Sequence, residues 1–447
     1  MSDHPSTGFL WGTATSAYQV EGAVDEGGRG RSIWDEFCER PGAVVDGQSG
    51  RVACDHFHRW EEDLDLMRGL GIQAYRFSIA WPRVLPEGTG HVNERGLDFY
   101  SRLVDGLLER GIEPMATLYH WDLPLALGEV GGWHSRETAH AFAEYARVAA
   151  ERLGDRIRLW ATLNEIPVIV HEGHCVGTHP PGERCEAQVI NQVRHHLLLA
   201  HGLGTQALRA AARKRPSVGL VDCPHVPEPL TESEGDIAAA RDAFERMNGV
   251  RFDPVFRGRY PAAWWEAQGA SVPEVRDGDL ATIQQPQDFL GLNVYSSWNV
   301  ASAERGVCQL ETHFPQTDLQ WPIMPDCLYW ATRFAHEVHG LPAIFITENG
   351  CAYPDQVNGR GEVDDFARIA YLRGHLRGVD RALAEGLPLR GYLLWSFLDN
   401  FEWAKGYAKR FGIVHVNFET LRRTPKASAR WYAQHIATHS PPRAERA

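Results

Sequence analysis

Short runs of apolar, β-branched and aromatic residues alternate along this chain with longer amphipathic stretches, and that alternation narrows the available folds more than any other feature. Short apolar runs suit strands buried on both faces, and amphipathic stretches between them suit helices laid over a parallel sheet. Eight candidate strands fall at Leu10 to Ala14, Ala74 to Ile79, Pro114 to Tyr119, Leu159 to Asn164, Ser217 to Val221, Asp288 to Asn293, Ala343 to Thr347 and Gly391 to Ser396. Helical patterns lie between them at Trp60 to Leu70, Gly96 to Arg110, Ser135 to Leu153, Val189 to Arg213, Asp365 to Glu385 and Ala427 to Ala437. Gly71, Gly111, Gly154 and Gly386 stand where helix ends call for a left-handed residue.

Eight such units predict an α/β fold, a closed (β/α)8 TIM barrel. The 447 residues are expected to form one domain over 1–447, because no linker or low-complexity tract divides them. The Pro/Gly-rich stretches at 177–184 and 353–361 follow the fourth and seventh strands and suit barrel loops.

A net charge of −13 without a long basic block leaves no electrostatic footprint for nucleic acid. No apolar stretch approaches the roughly eighteen residues of a membrane span. The opening residues lack the basic, apolar and small-residue order of a secretory signal, which predicts a cytoplasmic protein. The eight cysteines are scattered without C-x-x-C or metal-finger spacing, which suits reduced thiols. His56 and His58 have no third ligand at matching spacing and read as structural or surface groups, so no metal and no cofactor are expected.

In such a barrel the chemistry sits at the carboxyl ends of the strands. There the second strand carries Arg76, the third is followed by His120 and Trp121, and the fourth ends in Asn164 and Glu165. The sixth ends in Asn293 with Tyr295 beyond, the seventh is followed by Glu348, and the eighth carries Trp395 and is followed by Glu402 and Trp403. Cleaving a glycosidic bond requires a proton for the leaving oxygen and a carboxylate facing the anomeric carbon, and Glu165 and Glu348 are candidates for the two. Alone, each is better explained as a solvated loop carboxylate. Their company favours a sugar site: Gln19, His120, Asn164 and Glu402 can exchange hydrogen bonds with hydroxyls, and Trp121, Trp395 and Trp403 can stack on a pyranose ring.

Seven segments carry a resemblance to a known family: FLWGTATSAYQVEG (9–22), YRFSIAWPR (75–83), YHWDLP (119–124), TLNEI (162–166), FLGLNVY (289–295), ITENG (346–350) and LWSFLDNFEWAKGYAKRFGIVHV (394–416). In these the chain resembles glycoside hydrolase family 1, the β-glucosidase family, from end to end. The resemblance implies a retaining β-glycosidase acting on a small β-glycoside of glucose, galactose or fucose, as a monomer or homo-oligomer. It implies that Glu348 is the nucleophile and Glu165 the acid/base, with Arg76 and Tyr295 holding Glu348 ionised. By the same resemblance Asn164 binds the sugar 2-hydroxyl, and Gln19 and Glu402 take the 3-, 4- and 6-hydroxyls with His120 and Trp403 assisting.

The chain departs from the family pattern after the acid/base. Ile166 stands where Pro is usual, Pro167 where Trp is frequent, and GHCVGTHPPG (173–182) has His174 where Tyr is common. His174 and Trp321 are the candidates for the aglycone side. Two alternatives remain: a 6-phospho-β-glycosidase, disfavoured because Glu402 would repel a phosphate, and a catalytically silent sugar-binding barrel.

Overall fold

In the computed structural model, which describes residues 8–310 and 313–439, every one of the eight expected strands is present and the set closes into a barrel. They are β1 (Leu10–Ala14), β2 (Ala74–Ser78), β3 (Glu113–Tyr119) and β4 (Leu159–Asn164). The second half comprises β5 (Ser217–Asp222), β6 (Phe289–Asn293), β7 (Ile344–Asn349) and β8 (Leu389–Trp395). Neighbours in sequence are neighbours in space and all pairings are parallel; β1 closes the circle by pairing β8 through Leu10 and Gly391 and β2 through Gly12 and Ala74. Ile79 and Ser396, expected to end strands, lie just beyond them, whereas β7 runs on through Glu348 and Asn349.

The outer layer is built from α1 (His56–Gly69), α2 (Glu94–Glu109), α3 (Arg136–Leu153), α4 (Ala187–Ala211), α5 (Glu234–Arg257), α6 (Cys327–His339), α7 (Phe366–Ala384) and α8 (Ala427–His439). The reason is plain in α2, where Leu97, Tyr100, Leu103, Val104 and Leu107 recur at helical spacing and all are buried. Helix α5 is less legible because its inner face buries Asp236, Asn248, Arg251 and Asp253, and Pro254 interrupts its last turns. Among the described residues no helix is long and apolar enough to cross a membrane.

Three of the four punctuating glycines, Gly71, Gly111 and Gly386, have φ of 73°, 67° and 75°, as a left-handed helix end requires. Gly154 departs from that expectation: its φ is −73°, and it is needed for space, since a Cβ would lie 2.5 Å from the Ala150 carbonyl oxygen and 2.8 Å from Ala212 Cα.

Inside the barrel, Ala14, Ala74, Met115, Leu159, Phe289, Phe345 and Leu393 pack as an apolar plug. Strand β5 contributes Gly219, where a Cβ would stand 2.6 Å from the Phe289 ring. With the interior filled in this way, the polar side chains of the strands collect at the carboxyl end. Between β3 and the outer layer, the buried Tyr145 hydroxyl of α3 donates to the Ile79 and Leu118 carbonyls at 2.7 and 2.9 Å. Tyr145→Phe leaves both carbonyls without that donor and is expected to cost about 1–2 kcal/mol in urea unfolding, with kcat unchanged; a loss of activity at full stability would contradict a purely structural role.

Candidate active site

Strand ends β2, β4, β6 and β7 bring their polar residues to one point. The β4–β5 ladder shifts register between Ala161 and Asn164, and the β6–β7 ladder between Ile346 and Glu348, so both strands are irregular where they deliver their carboxylates. Glu165 follows β4 as the N-cap of a short helix, Ile166–Val170, with a left-handed φ of 54°. Trp121 (φ 80°) and Trp403 (φ 49°) share this backbone region, which non-glycine residues rarely adopt.

Arg76 is fully buried and organises the centre. Its Nη1 donates to Glu348 Oε1, its Nη2 to Asn164 Oδ1 at 2.7 Å, and its Nε to Thr117 Oγ1 at 2.9 Å. The Tyr295 hydroxyl donates to the other Glu348 oxygen at 2.5 Å. Asn293 donates to Glu165 Oε1 at 2.6 Å and to Asn164 Oδ1 at 3.0 Å, while the Thr347 hydroxyl donates to Asn293 Oδ1 at 2.7 Å. The two carboxylates are therefore linked in a chain through Asn293, Asn164 and Arg76.

Their environments differ. Burial raises both carboxyls; at Glu348 the Arg76 charge and the hydrogen bonds from Tyr295 and Arg76 oppose it. At Glu165 burial is reinforced by the negative charge of Glu348, and its carboxyl lies well above the usual range. Of the pair, Glu165 is thus the member that holds the proton.

Because Asn164 Oδ1 accepts from Arg76 and Asn293, its amide nitrogen faces His120 Nε2, 3.2 Å away. Burial keeps His120 neutral, so Nε2 accepts and Nδ1 carries the hydrogen; that Nδ1 is buried without a partner among the described residues. The imidazole lies nearly parallel to the rings of Trp395 and Trp403, with centroids 5.8 and 5.9 Å away and interplanar angles of 15° and 17°. Trp121 leans on Trp403 at 4.6 Å and donates its indole N–H to the Asn164 carbonyl at 2.9 Å.

Gln19 is committed more heavily than its sequence suggests. Its amide nitrogen donates to Asn400 Oδ1 at 3.2 Å and to the Phe401 carbonyl at 2.9 Å, and its Oε1 accepts from Ser16 at 2.6 Å. One lone pair on Oε1 remains, so towards a further ligand it is an acceptor. Burial and the charge of Glu348 push the Glu402 carboxyl up to about 8, which makes it a donor as well as an acceptor at neutral pH.

A buried, asymmetric carboxylate pair under an aromatic and amide canopy is an arrangement with known counterparts. The model for glycosyl hydrolase family 1 matches residues 1–441. The chain belongs to that family. Relatives of glycosyl hydrolase family 1 include Beta-glucosidase A of Thermotoga maritima, 46% identical over 95% of this chain and 96% of that protein. A Beta-glucosidase of an Agrobacterium species is 47% identical over 95% and 94%, and a bifunctional beta-D-glucosidase/beta-D-fucosidase of Bifidobacterium breve 45% identical over 97% and 98%. The solved structure of the Thermotoga maritima beta-glucosidase with glucoimidazole superposes with a TM-score of 0.90 at 44% identity, covering 98% of this chain and 99% of that one.

Within this family member, Trp321 packs against Tyr295, the phenol that meets Glu348, its ring 5.1 Å from that of Tyr295 and 6.0 Å from that of Phe411. His174 is placed differently: it bonds to Glu183 at 3.2 Å and meets His134 edge-on, and neither contact belongs to the pair or its partners. His56 and His58 bond to Asp63 and Asp55 at 2.8 and 2.6 Å. Sequence reasoning does not single out Thr117, Thr347 or Tyr371. Tyr371 donates to the Tyr295 carbonyl at 2.6 Å and accepts from Asn349 at 3.1 Å, from within a helix whose pattern signals only packing. Thr347 is findable, since it adjoins Glu348 on the opposite face of the strand.

Proposed function

We propose that this protein is a β-glucosidase that releases terminal β-linked glucose by double displacement, with Glu348 as nucleophile and Glu165 as acid/base. The observation that carries this reading is the asymmetry of the pair: Glu348 has a guanidinium and a phenol on its two oxygens, whereas Glu165 is buried beside that charge with one neutral amide donor.

In the first step Glu165 gives its proton to the glycosidic oxygen as Glu348 bonds to the anomeric carbon, and the aglycone leaves as an alcohol. Forming the ester removes the negative charge from Glu348. That charge is one of the causes holding Glu165 protonated, so its loss lowers the Glu165 pKa at the moment a base is needed. Glu165 then takes a proton from water, which attacks the anomeric carbon and frees Glu348. The His120 Nδ1–H, the free lone pair of Gln19 and the protonated Glu402 are suited to the ring hydroxyls, and Trp403 to the sugar face. The names of the relatives favour glucose, with fucose accepted in one of them. A 6-phosphate would bring a further negative charge beside the buried Glu402 and Glu348 carboxyls, and a silent binding barrel would have no use for a carboxylate pair in which one member is held by a cation and the other is not.

Proton NMR of an aryl β-glucoside digestion tests the reading: β-glucose is expected as the first product, followed by slow mutarotation. First-formed α-glucose, or binding without turnover, would overturn it.

A further inference from the structure

We propose that His134, His174, Glu183 and Cys185 form a binding site for a divalent transition-metal ion of the zinc class, which ties the loop after β4 to the loop after β3. One ligand atom from each of the four lies within 4.8 Å of the others. The site is distinct from the carboxylate pair, and the inference does not depend on the role of either glutamate.

The four side chains come from two segments that the fold lays side by side. His134 ends a short turn at Gly132–His134, after β3. His174 lies in a turn of wide helix, His171–Val176, that continues the helix begun at Glu165. The chain then doubles back, with the Glu183 N–H donating to the Gly173 carbonyl at 2.9 Å and the Cys185 N–H to the His174 carbonyl at 2.8 Å. This return brings the Glu183 and Cys185 side chains to His174.

The donors converge on one point. Glu183 Oε2 is 2.6 Å from His134 Nε2, 3.2 Å from His174 Nδ1 and 3.3 Å from Cys185 Sγ. Three side-chain atoms thus crowd one carboxylate oxygen, where a single cation would serve all four groups. A tetrahedral zinc ion, with bonds of about 2.0–2.1 Å to nitrogen or oxygen and about 2.3 Å to sulfur, holds its ligands about 3.3–3.8 Å apart. Reaching that spacing requires Glu183 to draw back slightly and the other three to close by up to about 1 Å. Glu183 is free to do so, since its side chain is 42% exposed. His174, at 1% exposed, is the fixed anchor, and His134, at 33%, leaves a path from solvent.

Two imidazoles, a thiol and one carboxylate suit zinc or cobalt(II) and not calcium or magnesium, which take oxygen ligands. The imidazoles bind through neutral nitrogen lone pairs, and Cys185 binds as the thiolate, so one proton passes to solvent for each ion bound. A cavity of about 80 Å3 lies alongside, lined by His134, His174 and Glu183 together with Trp121 and Ile169. The bound ion would brace the segment that leads directly from Glu165.

Cobalt(II) titration of the chelator-treated protein tests the proposal. One equivalent is expected to bind, with the visible bands of a four-coordinate ion and a near-ultraviolet sulfur-to-cobalt charge-transfer band, and zinc is expected to displace it. Cys185→Ser should abolish the charge-transfer band, and His134→Gln, at a more exposed position, should weaken binding at least tenfold. Zinc should raise the melting temperature of the wild type but not that of Cys185→Ser, each compared with its own metal-free form. Absence of saturable binding, or a charge-transfer band that survives Cys185→Ser, overturns the site.

Discussion

Glu348→Gly is expected to lower kcat for an aryl β-glucoside by about 10^4- to 10^6-fold, the loss that follows removal of a covalent nucleophile. The buried Arg76 and Tyr295 would then face an empty space where a carboxylate stood. Azide is small enough to occupy it and carries the charge that Arg76 requires. With an activated substrate, added azide should restore much of the turnover and give the α-glycosyl azide, because attack comes from the face Glu348 vacated. Glu165→Ala should behave in the opposite sense. Its first step survives with an activated leaving group, azide replaces water as the acceptor on the glycosyl-enzyme, and the product is the β-azide. A β-azide from the Glu348 variant, or rescue of neither protein, would overturn the assignment of roles.

The second large effect belongs to a residue that does not touch the bond being broken. Arg76→Met keeps much of the volume of the side chain but removes the cation, and should lower kcat/KM by about 10^2- to 10^3-fold. The pH profile identifies the cause. With Glu348 as the proposed nucleophile, activity requires its ionised form, so the rate falls as pH drops through the lower apparent pKa of the pair. Arg76 opposes the upward pull of burial on Glu348, so its removal raises that pKa and moves the acid limb to higher pH. A profile that keeps its acid limb in place would show that Arg76 acts through packing alone, and Arg76→Lys, which restores a charge, should recover part of the shift.

The barrel is legible in the sequence because its strands are buried on both faces and therefore appear as unbroken apolar runs, as Ile344 to Ile346 in β7 and Tyr392 to Trp395 in β8 show. The carboxylates are legible because each follows such a run. What the sequence withholds is set by closure of the barrel. Thr117 and Tyr371 meet the site through partners 41 and 76 residues away, and no local pattern marks either. Gln19 stands out as a sugar-binding candidate, yet its amide hydrogens are spent on Asn400 and Phe401, near the other end of the chain. The position of His174 in its loop suggests the aglycone side; the return of the chain at Glu183 gives it other neighbours.

The left-handed backbones of Trp121, Glu165 and Trp403 have a bearing on how such an enzyme can change over generations. Glycine is the residue that relieves this conformation, by about 1 kcal/mol or more per position, and it is also the residue that erases the side chain. At these three places selection for a sturdier protein and selection for a working one pull in opposite directions, and no single substitution satisfies both. Gains in durability are therefore to be sought far from the mouth of the barrel, in the outer helices, where sequence can drift without meeting that conflict.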